Sequence, residues 1–157
     1  MTEGVLSENS WRWRFIRYAP LFLWTLVIFG LSTGAASMEE TSRVIRPILK
    51  FLFPTSPDDI INLYHGYVRK LAHFTEYSIL AFFAFRALRD STIGFLSSWR
   101  FLVPVAIAIM VAAVDEFHQS FVPSRTSSGL DVLLDVSGGV VAAILCWLFS
   151  KRLTRAR

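Results

Sequence analysis

Four stretches of the chain are apolar over nearly the length of a bilayer-crossing helix. They run from Tyr18 to Ala36 (YAPLFLWTLVIFGLSTGAA), Val68 to Leu88 (VRKLAHFTEYSILAFFAFRAL), Phe101 to Val122 and Val132 to Phe149. A helix needs about 20 residues to cross the hydrocarbon core, and it is the only open-ended element that satisfies its own backbone there. The pattern predicts an all-α, polytopic membrane bundle of four transmembrane helices forming a single membrane domain over 1–157. A long loop, about Ser37 to Tyr67, separates the first two runs. Within it Val44, Ile45, Ile48, Leu49 and Leu52 interleave with Arg43, Arg46 and Lys50 at near-helical spacing. This predicts a short amphipathic helix suited to the membrane surface, although a loop packed over the bundle accounts for the same residues. Pro47 limits or kinks any helix there. Ser56-Pro57-Asp58-Asp59 reads as a helix start, with Ser56 as N-cap and Pro57 as the first helical residue. The second transmembrane helix therefore begins outside the bilayer, with Gly66 as a possible break.

Composition agrees with lipid as the surrounding medium. The chain is 54% hydrophobic and only 18% charged, against about a quarter charged in a soluble domain. A sequence pI of about 9.6 raises the question of nucleic acid. The basic residues sit at the ends of apolar runs rather than on one soluble face, so the expected partner is the bilayer and not a nucleic acid. The lone Cys146 lies inside an apolar run and can form no internal disulfide.

Charge also orients the bundle. With the N-terminus inside, Arg12, Arg14, Arg17, Arg86, Arg89, Arg100, Lys151, Arg152, Arg155 and Arg157 are cytoplasmic, ten of the 16 cations. Arg43, Arg46, Lys50, Arg69, Lys70 and Arg125 are outside, with nine of the 12 acids. Positive-inside bias thus places both termini in the cytoplasm, the tail from residue 150 onward anchoring near anionic headgroups. Arg12, Arg14 and Arg17 ahead of an apolar run that ends in small residues also fit a signal peptide. With three further apolar runs, an uncleaved first helix is the simpler reading, and cleavage leaves the other three oriented alike.

Ionisable side chains are costly in lipid unless paired or wet, so each one within a span needs a reason. The second run carries Arg69, Lys70, His73 and Glu76, then Tyr77. At 100° per residue they share an arc of about 120° on one helix face. The third run ends in Asp115, Glu116, His118 and Gln119, and the fourth begins with Asp131 and Asp135. Arg125 lies in the loop between them. All fall at the outer ends of their helices, so three helices deliver polar groups to one level. His73, Glu116, Arg125 and Asp135 are expected to share one pocket opening outward.

Simpler roles compete at several positions. Arg69 and Lys70 can snorkel, His73 and Glu76 can orient a helix, and Arg125 can serve as a structural ion pair. Asp131 reads as the N-cap of the fourth helix. Gly138/Ala142 and Gly139/Ala143 have the small-xxx-small spacing that brings helices together, which explains the glycines but not Asp135. The first run has no ionisable side chain beyond Tyr18 and is expected to contribute mostly packing.

These residues carry a resemblance. Lys70-x-x-His73-Phe74-x-x-Tyr77, Asp115-Glu116-x-His118-Gln119-x-Phe121-x-Pro123-x-Arg125 and Asp131-x-x-x-Asp135-x-x-Gly138 follow in order. They resemble the VanZ-like family of bacterial membrane proteins over about Val68 to Leu148. Ser124 precedes Arg125 where the family usually has Gly, and Asp135 stands where it often has Asn. The resemblance implies a multi-helix protein of the bacterial cytoplasmic membrane. It also implies a cell-envelope role, since the founding member is linked to low-level teicoplanin resistance.

Two classes of function follow. As an enzyme acting on a lipid headgroup or envelope precursor, the chain would use His73 and His118 as acid or base, with Glu76, Asp115 and Glu116 tuning them. Lys70 and Arg125 would hold a phosphate, beside Tyr77, Gln119, Asp131 and Asp135 as ligand-binding residues. As a binding protein, the chain would use the same cations for an anionic envelope ligand, an antibiotic or another membrane protein. No motif such as H-E-x-x-H is present, so no cofactor is expected. A variant reading places a divalent metal on His118, Glu116, His73 and Asp135. The charge asymmetry makes a direct prediction: cysteines introduced near Ser56 and Ser127 should react with an impermeant reagent from outside, and those near Ser97 and Thr154 should not. Labelling at Ser97 from outside would overturn the orientation.

Overall fold

The computed structural model describes residues 3–33, 37–89, 99–123 and 128–155. Among these, all regular structure is helical: α1 (Glu3–Ser32), α2 (Met38–Leu52), α3 (Asp58–Leu88), α4 (Leu102–Gln119) and α5 (Gly129–Arg155). Arg125, with residues 124–127, lies outside the described residues, so its expected place in the pocket has no structural counterpart. Ser97 and Ser127 lie outside them too.

Among the described residues, three helices hold a segment long and apolar enough to cross a membrane: 12–32 of α1, 102–119 of α4 and 129–152 of α5. They present Phe22, Leu26, Met110, Val114, Val141 and Leu145 outward, exposed as lipid-facing side chains are. At 31 residues α3 has the length to cross. Arg69, Lys70, His73, Glu76 and Arg86 lower its apolar character. Helix α3 is the central one, packed against α1, α2, α4 and above all α5, so Arg69, His73 and Glu76 are half-buried between helices while Lys70 and Arg86 stay exposed. Tyr77, Leu80, Ala81 and Ala84 are fully buried on it, and Ile28, Val111 and Ala112 join the same core.

The segment between the first two apolar runs contains a helix, α2. Ser37 caps α2, its hydroxyl accepting from the Glu40 amide at 3.3 Å, while Glu39 and Glu40 favour the dipole from the first turn. Helix α2 continues through Pro47 to Leu52. Pro47 therefore does not end the helix. Leu49 is buried, whereas Val44, Ile48 and Phe51 remain exposed. Pro57, not Ser56, holds the cap position of α3: its ψ of 158° is extended, so the first helical residue is Asp58. Lys50 at 2.8 Å and Arg46 at 3.4 Å reach the Asp58 carboxylate. Lys50 foremost holds that carboxyl below its ordinary value. Gly66 does not break α3, which runs on without interruption.

Helix α5 begins at Gly129, so Asp131 lies in its first turn and is not the N-cap. The Ser128 hydroxyl accepts from the Leu130 amide at 3.2 Å, and its carbonyl takes the Asp131 amide at 2.8 Å. Gly138 and Gly139 are where α5 meets its neighbours most closely. A Cβ on Gly138 would overlap the Phe74 backbone carbonyl of α3, and one on Gly139 would come within 2.7 Å of Ala108 Cβ of α4. Ser78 Oγ bridges the first contact, 2.8 Å from the Phe74 carbonyl and 3.0 Å from that of Gly138. Lipid removes the hydrophobic incentive for helices to associate, so close packing and such hydrogen bonds hold the bundle.

Gly138→Ala should therefore destabilise the protein by about 1–3 kcal/mol through overpacking against backbone that cannot yield. Gly30→Ala on α1, where a Cβ meets nothing within 4 Å, should be neutral or slightly stabilising. Melting temperatures in detergent compare the two, and equal effects would remove the close α3–α5 contact from the account.

Candidate functional site

The polar residues of α3, α4 and α5 gather at one end of the bundle. Asp135 lies one turn before Gly138, and His73 directly precedes Phe74, so the α3–α5 contact brings these two together. His73 Nδ1 stands 3.4 Å from Asp135 Oδ1. That is within ion-pair range, but its geometry is not that of a hydrogen bond. On α4, Asp115 and Gln119 lie a turn apart on the inward face. The Asp115 Oδ2 accepts from the Tyr77 hydroxyl at 3.1 Å and from Gln119 Nε2 at 3.0 Å. Asp115 and Asp135 are 2% and 1% exposed, and Tyr77 is wholly buried. One ring nitrogen of His73 and one carboxylate oxygen from each aspartate all lie within 4.8 Å of one another. Among the described residues, His73 Nδ1, Asp115 Oδ1 and Asp135 Oδ1 are buried without a hydrogen-bond partner.

The remaining site residues take other places. Glu116 and His118 are rotated away from the Asp115 face by roughly 100° and 60°. Glu116 Oε1 accepts a short hydrogen bond from the Ser128 amide, tying the end of α4 to the start of α5. His118 is exposed, its Nδ1 sharing a hydrogen bond of 3.1 Å with Ser32 Oγ of α1. A metal set of His118, Glu116, His73 and Asp135 is therefore not assembled. Among the described residues, the ligating group is His73, Asp115 and Asp135.

Two cavities meet at this level. The smaller, about 220 Å³, lies between α1, α2, α3 and α4; Ile28, Leu31, Ile45 and Val68 line it with Ser32, Glu76 and Asp115. The larger, about 370 Å³, is lined by Lys70, Gln119, Asp131, Gly66, Met38 and Leu134. Arg69 and His73 belong to both walls. The larger cavity is the more polar of the two, with Lys70, Gln119 and Asp131 in its wall, and an imidazole and a guanidinium stand between them.

Sequence reasoning missed two contributors. Ser32 of α1 is buried, lines the apolar cavity and bonds His118; its position at the polar C-terminal end of the first run was the available signal. His65 is the other. It is fully buried, and its Nε2 lies 3.0 Å from Thr41 Oγ1 of α2. Because the Thr41 hydroxyl donates to the Ser37 carbonyl at 2.7 Å, the imidazole donates to Thr41. No signal in the sequence sets His65 apart, because its partner is 24 residues away.

The arrangement defines a class: a helical integral membrane protein with a buried His–carboxylate group at one end of its bundle, fronted by cations. A family profile described as VanZ/LLP1 matches residues 15–150, and the chain belongs to that family. Comparison with curated proteins and with solved structures gives no match.

His65 also yields a pH prediction. Burial, then Arg69 and Arg46, push its imidazole below the ordinary value of 6.5. The folded state thus prefers the neutral ring. Its contribution is fully present above pH 6.5 and is lost as pH falls below that value toward the folded pKa. The melting temperature should drop more between pH 7.5 and 5.5 for the wild type than for His65→Gln. Parallel pH dependence would show that His65 does not titrate on unfolding.

Proposed function

We propose that this VanZ/LLP1 protein acts on the phosphate-bearing headgroup of an envelope lipid or lipid-linked precursor, from the outer face of the bacterial cytoplasmic membrane. The observation that carries the reading is the pair of cavities sharing Arg69 and His73. An amphiphile matches both: its phosphate against Arg69 and Lys70, its hydrocarbon against Ile28, Leu31, Ile45 and Val68. The positive-inside asymmetry supports four crossings, with α3 as the fourth, both termini cytoplasmic and the site outward. Arg125, in the loop after α4, supplies a planar two-point grip on the phosphate. His73 is the group at the reacting phosphate, with Asp135 beside it. Glycopeptide susceptibility of the teicoplanin type is the cellular readout.

One observation favours binding without catalysis. Asp115 is already engaged by Tyr77 and Gln119, and Glu116 by Ser128, so part of the acid set serves structure. The two readings separate in one experiment. Lipid and envelope-precursor profiles, with teicoplanin susceptibility, are compared in cells lacking the gene and cells carrying wild type, His73→Ala or Lys70→Ala. Catalysis predicts a phosphate-bearing species that accumulates in the null strain, is cleared by wild type and is not cleared by His73→Ala. Binding alone predicts an unchanged profile, with an anionic lipid co-purifying with wild type and depleted at least tenfold in Lys70→Ala. An unchanged profile with no co-purifying anionic lipid would overturn both.

A further inference from the structure

We propose that His73, Asp115 and Asp135 hold a divalent metal ion of the zinc class, one ligand each from α3, α4 and α5. The three ligating atoms lie within 4.8 Å of one another. What sets the group apart from an ordinary acidic cluster is its unmet bonding. Asp115 and Asp135 are 2% and 1% exposed, and each keeps a buried Oδ1 that no described residue satisfies. The facing Nδ1 of His73 is equally without a hydrogen bond. Two carboxylates desolvated side by side repel each other and are costly without a positive charge between them. Among the described residues no lysine or arginine pairs with either; the contact that exists is His73 to Asp135.

The His73–Asp135 separation is one that a shared ion also produces. At 3.4 Å, His73 Nδ1 and Asp135 Oδ1 stand farther apart than the usual range of about 2.7–3.2 Å for an N–H···O hydrogen bond. Ligands about 2.0–2.2 Å from zinc in a tetrahedron stand roughly 3.3–3.6 Å apart, which matches that separation. Imidazole with two carboxylates is also a donor set suited to zinc and its neighbours rather than to calcium or magnesium. Around Asp115 the supporting bonds have the form that metal ligands show. Tyr77 and Gln119 both donate to Oδ2, which fixes the carboxylate and leaves Oδ1 free. Three protein ligands leave a position open, as in metal sites that bind water or substrate. His73 lines both cavities and Asp115 the apolar one, so that position adjoins the space assigned to the headgroup. A phosphate would complete the coordination. That last step alone rests on the function proposed above, because the ion needs only the three side chains.

The test uses the full-length protein in detergent, stripped with chelator and titrated with Zn²⁺ or Co²⁺ alone. One ion should bind per chain, raising the melting temperature by roughly 5 °C at saturating metal. Zinc X-ray absorption should show an oxygen and nitrogen shell near 2.0 Å that includes one imidazole. Binding should weaken at least 100-fold in His73→Gln, Asp115→Asn and Asp135→Asn, and stay unchanged in His118→Ala and His65→Gln. If a ligand variant does not fold, the wild-type absorption spectrum still decides, because a shell without imidazole overturns the site. Absence of binding at micromolar metal to folded wild type also overturns it, as does binding that the ligand variants leave intact. Vesicles with and without phosphate-bearing lipid separate the two proposals. Metal binding without lipid binding sinks the headgroup reading alone, and lipid binding to a chain that takes no metal sinks this one alone.

Discussion

Helix α5 approaches α3 so closely at Gly138 that no side chain fits between its Cα and the Phe74 carbonyl, and Ser78 bonds both backbones across the contact. The polar site depends on this approach. His73 precedes Phe74 in the chain, and Asp135 is one turn ahead of Gly138. A larger residue at 138 would push α5 outward and carry the Asp135 carboxylate away from the imidazole. Gly139 against Ala108 does the same for α4, and so for Asp115. The small residues thus serve the charged ones, by letting three helices stand near enough for short side chains to meet.

Such closeness matters because lipid offers no alternative partner. In water an aspartate that lost its neighbour would be hydrated; in the bundle it has only what adjoining helices supply. Asp115 is held by Tyr77 from α3 and by Gln119 from its own helix, a turn away. Among the described residues, Asp135 has the nearby imidazole as its ionic partner. Two aspartates at one level are thus unevenly satisfied by the described residues.

Helix α2 adds a cover to one cavity. Its inward residues Thr41 and Ile45 line the apolar space, and Thr41 is tied to the buried His65. Its far end is held by exposed pairs of Lys50 and Arg46 with Asp58, which contribute little in water. Val44, Ile48 and Phe51 stay exposed, as they would on a helix resting at the membrane interface.

Apolar run length and helical periodicity were enough to read the helical membrane class, an amphipathic helix between the first two runs and the level at which polar residues collect. These depend on local composition and on the period of the helix, which the chain carries in order. Three motifs in sequence likewise sufficed for the family. Partner choice within the cluster was not legible. A shift of one residue turns a helical side chain by about 100°, so Asp115 faces the core while Glu116 turns to the Ser128 amide and His118 to Ser32. Only the packing of α1 and α5 against α4 decided which of these faces is inside. The starts of α3 and α5 moved by one and three residues for a related reason, since the extended backbone at Pro57 is a conformational fact that residue type alone does not dictate. Long-range pairs such as Thr41 with His65, and the meeting of His73 with Asp135, belong wholly to the tertiary structure, because they join residues whose separation along the chain leaves no periodic trace.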